Sequence, residues 1–167
     1  SQSSFIELYN KGSIYKKDFP TIWCPECQTA IAQAELEDKE ESSFFSTIKF
    51  KLNNKDLLIS TTRPELLGAC VAVFVNPNDE RYKKLGGKKA KVPLYDYEVP
   101  IMYDKSADLA KGTGVLMICS YGDKYDVEAI KKHNLNPRII ISKDGLINDK
   151  KYKGLKIKKV REKILEE

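Results

Sequence analysis

The chain has 167 residues, of which 41% are hydrophobic, and carries a net charge of +5. That is enough for one compact domain, with a small appendage, burying roughly two-thirds of the surface of its unfolded chain. No apolar run reaches the roughly 18 to 20 residues needed to cross a bilayer, and no basic stretch followed by an apolar core opens the sequence, so a soluble, cytoplasmic protein without a membrane partner is expected.

In chain order, residues 5–11 place Phe5, Leu8 and Tyr9 at helical spacing, with Gly12 as the stop. Residues 15–23 run extended into Cys24-Pro25-Glu26-Cys27, a tight turn, and residues 30–37 alternate like a strand leaving it. This reads as a small knuckle, followed by a charged, serine-rich loop at 37–43. From Phe44 onward short apolar runs repeat, at 44–52, 57–62, 70–75, 91–94, 98–103, 115–120 and 138–142. They are rich in Ile, Val, Tyr and Phe and are bounded by turn residues such as Asn53-Asn54, Gly86-Gly87 and Lys111-Gly112. Helices are predicted over 78–85, 124–133 and 160–167. Many short strands with few helices indicate a mixed, mainly β fold with a closed or barrel-like sheet, whose loops carry the site.

Charge is uneven along this framework. Residues 131–167 hold twelve Lys or Arg against five Asp or Glu, a local charge of +7. Such a tail suits contact with RNA, and it equally suits a solvated lysine-rich face. The four cysteines are too few and too irregularly spaced for the disulfide framework of a secreted domain. Cys70 and Cys119 sit in predicted strands as small buried residues, and His133, the only histidine, is expected on a surface helix end.

Two segments carry chemistry. In Ser60-Thr61-Thr62-Arg63-Pro64-Glu65-Leu66-Leu67-Gly68, a strand ends in two hydroxyls and a guanidinium before proline turns the chain away. Arg63 presents the planar fork that pairs with phosphate or carboxylate, although such a string also serves as a plain strand end. In the second, Gly112-Thr113-Gly114 leads through a strand to Cys119-Ser120-Tyr121-Gly122-Asp123-Lys124-Tyr125-Asp126-Val127-Glu128. Its glycines permit close backbone approach, and Asp123 reads as the N-cap of the following helix with Asp126 at the third helical position. Two carboxylates one turn apart can hold an ammonium group together.

Taken jointly, these motifs resemble the editing domain inserted in the class I synthetases for valine, isoleucine and leucine. The run Thr61-Thr62-Arg63-Pro64-Glu65, continuing to Ala72-Val73 and Asn76-Pro77-Asn78-Asp79-Glu80-Arg81-Tyr82, is similar to the valyl branch. The form Ser120-Tyr121-Gly122-Asp123-Lys124 looks closer to archaeal-type enzymes. Leu66, Met117 and Cys119 stand where bacterial valyl enzymes tend to carry threonine, lysine and threonine, so those polar contacts do not carry over. The resemblance implies a connection and knuckle over residues 1–42, an editing barrel over 43–158 and a helical tail over 159–167. It further implies that a pair like Cys24 and Cys27 joins a second pair beyond this chain to hold zinc, because two cysteines supply half of a structural site. No cofactor is implied for editing itself.

The chemistry so implied is hydrolysis of the ester in threonyl-tRNA(Val), with the 3' end of that tRNA and the remainder of the parent synthetase as partners. Asp123 and Asp126 would hold the α-ammonium and the threonine hydroxyl. Arg63 would position the terminal adenosine or its phosphate, and Thr61 and Thr62 would orient the ester and the attacking water. Glu65, Met117, Cys119 and Lys124 complete the expected substrate-binding set. An aminoacyl ester is already activated, so water positioning and oxyanion stabilisation suffice without a covalent intermediate. The leucyl or isoleucyl editing domain and a non-catalytic RNA-binding module are the competing readings.

Overall fold

The computed structural model describes every residue except 38, 41 and 54, so part of the predicted 37–43 loop and of the Asn53-Asn54 turn lies outside the described residues. The chain opens with helix α1 (Gln2–Asn10), ended by Gly12 at φ +71° as the sequence predicts. α1 buries none of its residues, and Phe5, Ile6, Leu8 and Tyr9 all face solvent. A two-residue hairpin, β1 (Trp23–Cys24) with β2 (Thr29–Ala30), forms the knuckle. The strand expected over 30–37 stops at Ala30. Beyond it Glu35 accepts a hydrogen bond from the Ala32 N–H at 2.8 Å and the chain winds into a 3-10 turn (Gln33–Glu35), a side-chain alternative to sheet pairing.

The main sheet comprises β3 (Ser46–Leu52), β4 (Lys55–Thr61), β5 (Cys70–Val75), β6 (Lys89–Lys91), β7 (Glu98–Tyr103) and β8 (Val115–Cys119). They lie in the order β4-β3-β6-β7-β5-β8, antiparallel except for the parallel pair β5 and β7. β4 and β8, the two ends of this order, pack against each other. The result is the nearly closed, barrel-like sheet that the sequence predicts. Every residue of β5 is buried because it has a hydrogen-bonded strand on each side and a packed layer on each face. Val73 and Val75 point into the main core with Phe50, Ile59 and Ile101. Ala72 and Phe74 point to the other face, where helix α2 (Lys124–His133) lays Ala129 and Ile130. That two-sided burial explains the unbroken apolar run Cys70-Val71-Ala72-Val73-Phe74-Val75.

Three further predicted elements in the barrel differ from the observed ones, each for a local reason. Residues 78–85 form consecutive turns and no helix. Asn76 and Asp79 accept hydrogen bonds from the N–H groups of Asn78 and Arg81, which diverts backbone donors from a helical ladder. β6 starts two residues and ends three residues earlier than expected because Pro93 removes a ladder donor and Leu94 turns back at φ +66°. The 138–142 segment is reduced to a single bridge, Ile141 to Ile147, as the Arg138 N–H donates to the Ser120 hydroxyl at 2.5 Å.

Helix α3 (Ile157–Glu166) begins earlier than predicted and packs against the barrel through Val160 and Ile164, both in the main core. Lys150, Lys153 and Lys156 before it, and Lys158 in its first turn, remain exposed.

The knuckle docks on the turn around Gly145. Trp23 Nε1 donates to the Lys143 carbonyl at 2.8 Å, and a Cβ at Gly145 would lie 3.0 Å from Pro25. Cys24 and Cys27 sit together, the Cys27 N–H donating to Cys24 Sγ at 3.3 Å. That bond lowers the Cys24 thiol's pKa, and the neighbouring sulfur raises that of Cys27. Neither cysteine lies in the barrel core. Replacing both with serine should therefore leave the main thermal unfolding transition in place, and its collapse would show that the knuckle is integral to the barrel.

Candidate functional site

β4 ends by presenting Ser60 and Thr61, and the chain then breaks into a 3-10 turn (Pro64–Ala69) whose six residues are all buried. Proline suits the first position of such a turn, where no N–H is needed. Opposite, β8 ends at Cys119, Ser120 and Tyr121 turn the chain with Tyr121 at φ +57°, and Asp123 caps the start of α2. A bulge between Cys70 and Ala72 bends β5 beside this junction. The two strand ends enclose a cavity of about 650 Å³.

Thr61, Thr62, Arg63, Met117, Cys119, Asp123 and Asp126 all line this cavity. Two of the predicted residues do not. Glu65 is buried beneath Arg63, where its carboxylate takes two bonds from Arg161, each 2.9 Å, and one from Arg63 Nε at 3.3 Å. Burial opposes its ionisation, but the Arg161 bonds outweigh it and hold the Glu65 pKa below the usual glutamate value. Lys124 stands outside the cavity with its ammonium 5.1 Å from the centre of the Tyr125 ring. Sequence reasoning passed over Phe45, Leu116, Tyr125, Ser106, Asp108 and Lys111, which also line the cavity. Tyr125 belongs to the second motif and Leu116 to β8, whereas Phe45, Ser106, Asp108 and Lys111 come from outside both motifs and are brought here by the folded chain.

Asp123 is the N-cap as predicted, its Oδ1 accepting the Asp126 N–H at 2.9 Å. Asp126 points back to β8 and accepts the Cys119 N–H at 3.0 Å. Burial drives the Asp126 pKa up to about 6, and the Asp123 charge adds to the rise. Gly122 makes this placement possible, because a Cβ there would lie 2.4 Å from Asp126 Oδ2 and 2.9 Å from Leu66 Cδ1. Arg63 Nη1 donates to the Gly122 carbonyl, tying the two halves of the site together. The Arg63 N–H donates to Thr61 Oγ1 at 3.1 Å, whereas the Thr62 hydroxyl keeps no protein partner among the described residues. Gly112 and Gly114 have positive φ, and a Cβ at Gly112 would lie 2.7 Å from Ser60 Cβ, so the expected close approach is made against β4.

The other titratable candidates fall elsewhere. Burial pushes the Cys70 and Cys119 thiols far above their usual range, as fits small core residues. His133 is not the surface residue expected. It is largely buried, 4.8 Å from the Phe74 ring centre, and its Nε2 lies 2.7 Å from Asp104. Burial opposes ionisation of Asp104, but bonds from Lys132, His133 and the Ser106 N–H keep it well below the usual carboxylate range. None of this gives a nucleophile–base pair inside the cavity. Cys24 and Cys27 offer two of the four ligands a structural zinc needs, and among the described residues no group of three or more metal-binding side chains occurs.

A cavity with two neighbouring carboxylates, the unpartnered Thr62 hydroxyl and an arginine suits binding of an ammonium-bearing ester and of water against it. Comparison with known proteins gives the family. The family model "tRNA synthetases class I (I, L, M and V)" matches residues 1–163. The chain is 47% identical to the valine--tRNA ligase of Archaeoglobus fulgidus, with all of this chain and 19% of that protein aligned. It is 47% identical to that of Methanocaldococcus jannaschii, covering 100% of this chain and 20% of the relative. It is 48% identical to that of Nanoarchaeum equitans, covering 99% and 22%. The chain thus spans about a fifth of the length of these relatives.

Proposed function

This chain belongs to the class I tRNA synthetases, and we propose that within that family it is the editing domain of a valine--tRNA ligase, hydrolysing threonine from mischarged tRNA(Val). The observation that carries this reading is the pair Asp123 and Asp126 at the mouth of α2, set in one cavity with Thr61, Thr62 and Arg63. A pocket shaped for valine cannot strongly reject threonine, which differs by a hydroxyl in place of a methyl; the valine–threonine pair is the known instance of that limit. A second pocket that hydrogen-bonds the hydroxyl solves the problem, since valine would leave its polar groups unpaired.

In this reading Asp126 and Asp123 hold the substrate ammonium and hydroxyl, and Thr62 orients water toward the ester carbonyl. Arg63 fixes the terminal ribose or phosphate with the N–H groups left after its bonds to Gly122 and Glu65. Met117 and Cys119 give the wall an apolar face. Residues 43–158 would be the catalytic barrel of a cytoplasmic enzyme, with the rest of the synthetase covering the exposed apolar face of α1. A phosphate-binding surface alone would gain nothing from two carboxylates among its contacts, which weighs against the purely RNA-binding reading. Arg63-Pro64 weighs against the isoleucyl one.

The test is deacylation of threonyl- and valyl-tRNA(Val) by this chain. Rapid loss of threonine with valine retained is expected, and equal rates for the two would end the proposal. The pH profile adds a second check. Asp126 must be ionised to hold an ammonium, so kcat/KM should climb about tenfold per unit as pH rises toward 6 and level above it. A profile flat from pH 4.5 to 7 would remove Asp126 from the mechanism.

A further inference from the structure

A second cavity, of about 660 Å³, lies at the other end of β4, where the β3–β4 turn meets the turns between β5 and β6. β4 runs from Lys55 on this cavity to Thr61 on the candidate site, a span of about 20 Å at roughly 3.3 Å per residue, and the two cavities share no lining residue. Its floor is apolar: Leu52 and Leu57 are buried, and Tyr82 and Leu85 are half-buried. Its rim is cationic. Lys55 opens β4, Lys84 stands in the turns before β6 and Lys88 directly precedes that strand, so stretches of chain separated by β5 bring three ammonium groups to one rim. The lining holds two carboxylates, and both are taken: Asp56 accepts from Lys51 at 2.6 Å, and Glu80 pairs with Lys83. Lys55, Lys84 and Lys88 have no carboxylate partner among the described residues. Like charges gathered on one rim repel one another, and an anion seated between them would relieve that repulsion.

We propose that this cavity binds a nucleoside triphosphate, with its base on the floor formed by Tyr82 and Leu85 and its phosphates among Lys55, Lys84 and Lys88. Unpaired cations around an apolar floor suit a ligand that is anionic at one end and flat and apolar at the other. A bare phosphate chain would leave the floor wet, and a neutral apolar molecule would leave the charge unanswered. The volume lies within the range of roughly 300–1,000 Å³ typical of small-ligand pockets. The floor is also fixed in advance: Asp79 holds the Arg81 guanidinium at 2.9 and 2.6 Å, the same guanidinium donates to the Leu109 carbonyl at 3.3 Å, and the Tyr82 hydroxyl donates to the Thr113 carbonyl at 2.9 Å. The site stands apart from the hydrolysis proposed above and does not depend on it.

The test is calorimetric titration of the chain at low salt with ATP, tripolyphosphate and adenosine. ATP should bind about tenfold more tightly than either fragment, because only it engages both floor and rim. Lys84→Gln and Lys88→Gln should each weaken ATP about tenfold by removing a charge-assisted contact. Both side chains are exposed, so these variants keep the fold. Lys150→Gln removes the same charge at an exposed position outside the cavity and should bind ATP as the parent does. No binding of ATP by the parent, tripolyphosphate bound as tightly as ATP, or equal weakening by Lys150→Gln and Lys84→Gln would each overturn the site. A short single-stranded RNA that displaces ATP at lower concentration would overturn it in favour of an RNA backbone.

Discussion

Asp126→Asn is expected to slow threonyl-ester hydrolysis about ten- to a hundredfold and, at pH 7, to raise the thermal midpoint. The loss follows from removing a charge-assisted contact to the substrate ammonium, worth roughly 1.5–3 kcal/mol. The gain follows from linkage. The folded Asp126 has a pKa of about 6, above the ordinary value of 3.8, so the native state holds a proton that the unfolded chain has lost between those values. Stability therefore falls as pH rises from about 4 to 6 and stays lowered above that. Asparagine carries no charge to bury and retains an oxygen for the Cys119 N–H. Asp126→Ala should lose as much activity without the gain, since the Cys119 N–H loses that acceptor. Asp123→Ala should cost activity and on the order of 1 kcal/mol of stability, because Asp123 also caps α2. Parent-rate hydrolysis by Asp126→Asn would disprove the mechanism even with the family assignment intact.

The largest effect on stability is expected from Glu65→Ala. Glu65 is 1% exposed and joins Arg161 of α3 to Arg63 of the site. Truncating one member of a buried pair costs about 3–5 kcal/mol. Arg161 and Arg63 are each about two-fifths exposed and recover some hydration, which places the loss near the lower end, about 3 kcal/mol. For a chain of this size that corresponds to a fall in thermal midpoint of roughly 6–12 °C. The Glu65 pKa is held below its unfolded value, so the contribution is present above the ordinary glutamate pKa and disappears as pH falls through the folded one. The midpoints of parent and variant should therefore converge on acidification. A difference that persists unchanged at pH 3 would show that packing, and not the ion pairs, is lost.

Much of this was legible in the sequence, for identifiable reasons. Strands β5 and β7 and helix α2 match their predicted bounds because their signals are local: an unbroken apolar run, Ile-Met-Tyr after Pro100, and an Asp cap ahead of an amphipathic stretch. Asp123, Asp126, Thr61, Thr62 and Arg63 could be singled out because each sits where a strand or helix must end, and chain ends are marked by caps, glycine and proline. What the sequence alone could not decide is which side chains those ends point toward. Glu65, beside Arg63 in the motif, turns away into an ion pair with Arg161, 96 residues later. Phe45, in a segment without a motif, reaches the cavity because the Ser46–Thr61 register carries it there. Likewise Asp79 and Asn76 overruled the helical pattern of 78–85 by taking backbone donors for their own side chains. Local propensity is written in neighbouring residues, whereas burial, ion pairing and the depth of a cavity depend on elements far apart in the chain, and these the tertiary structure alone determined.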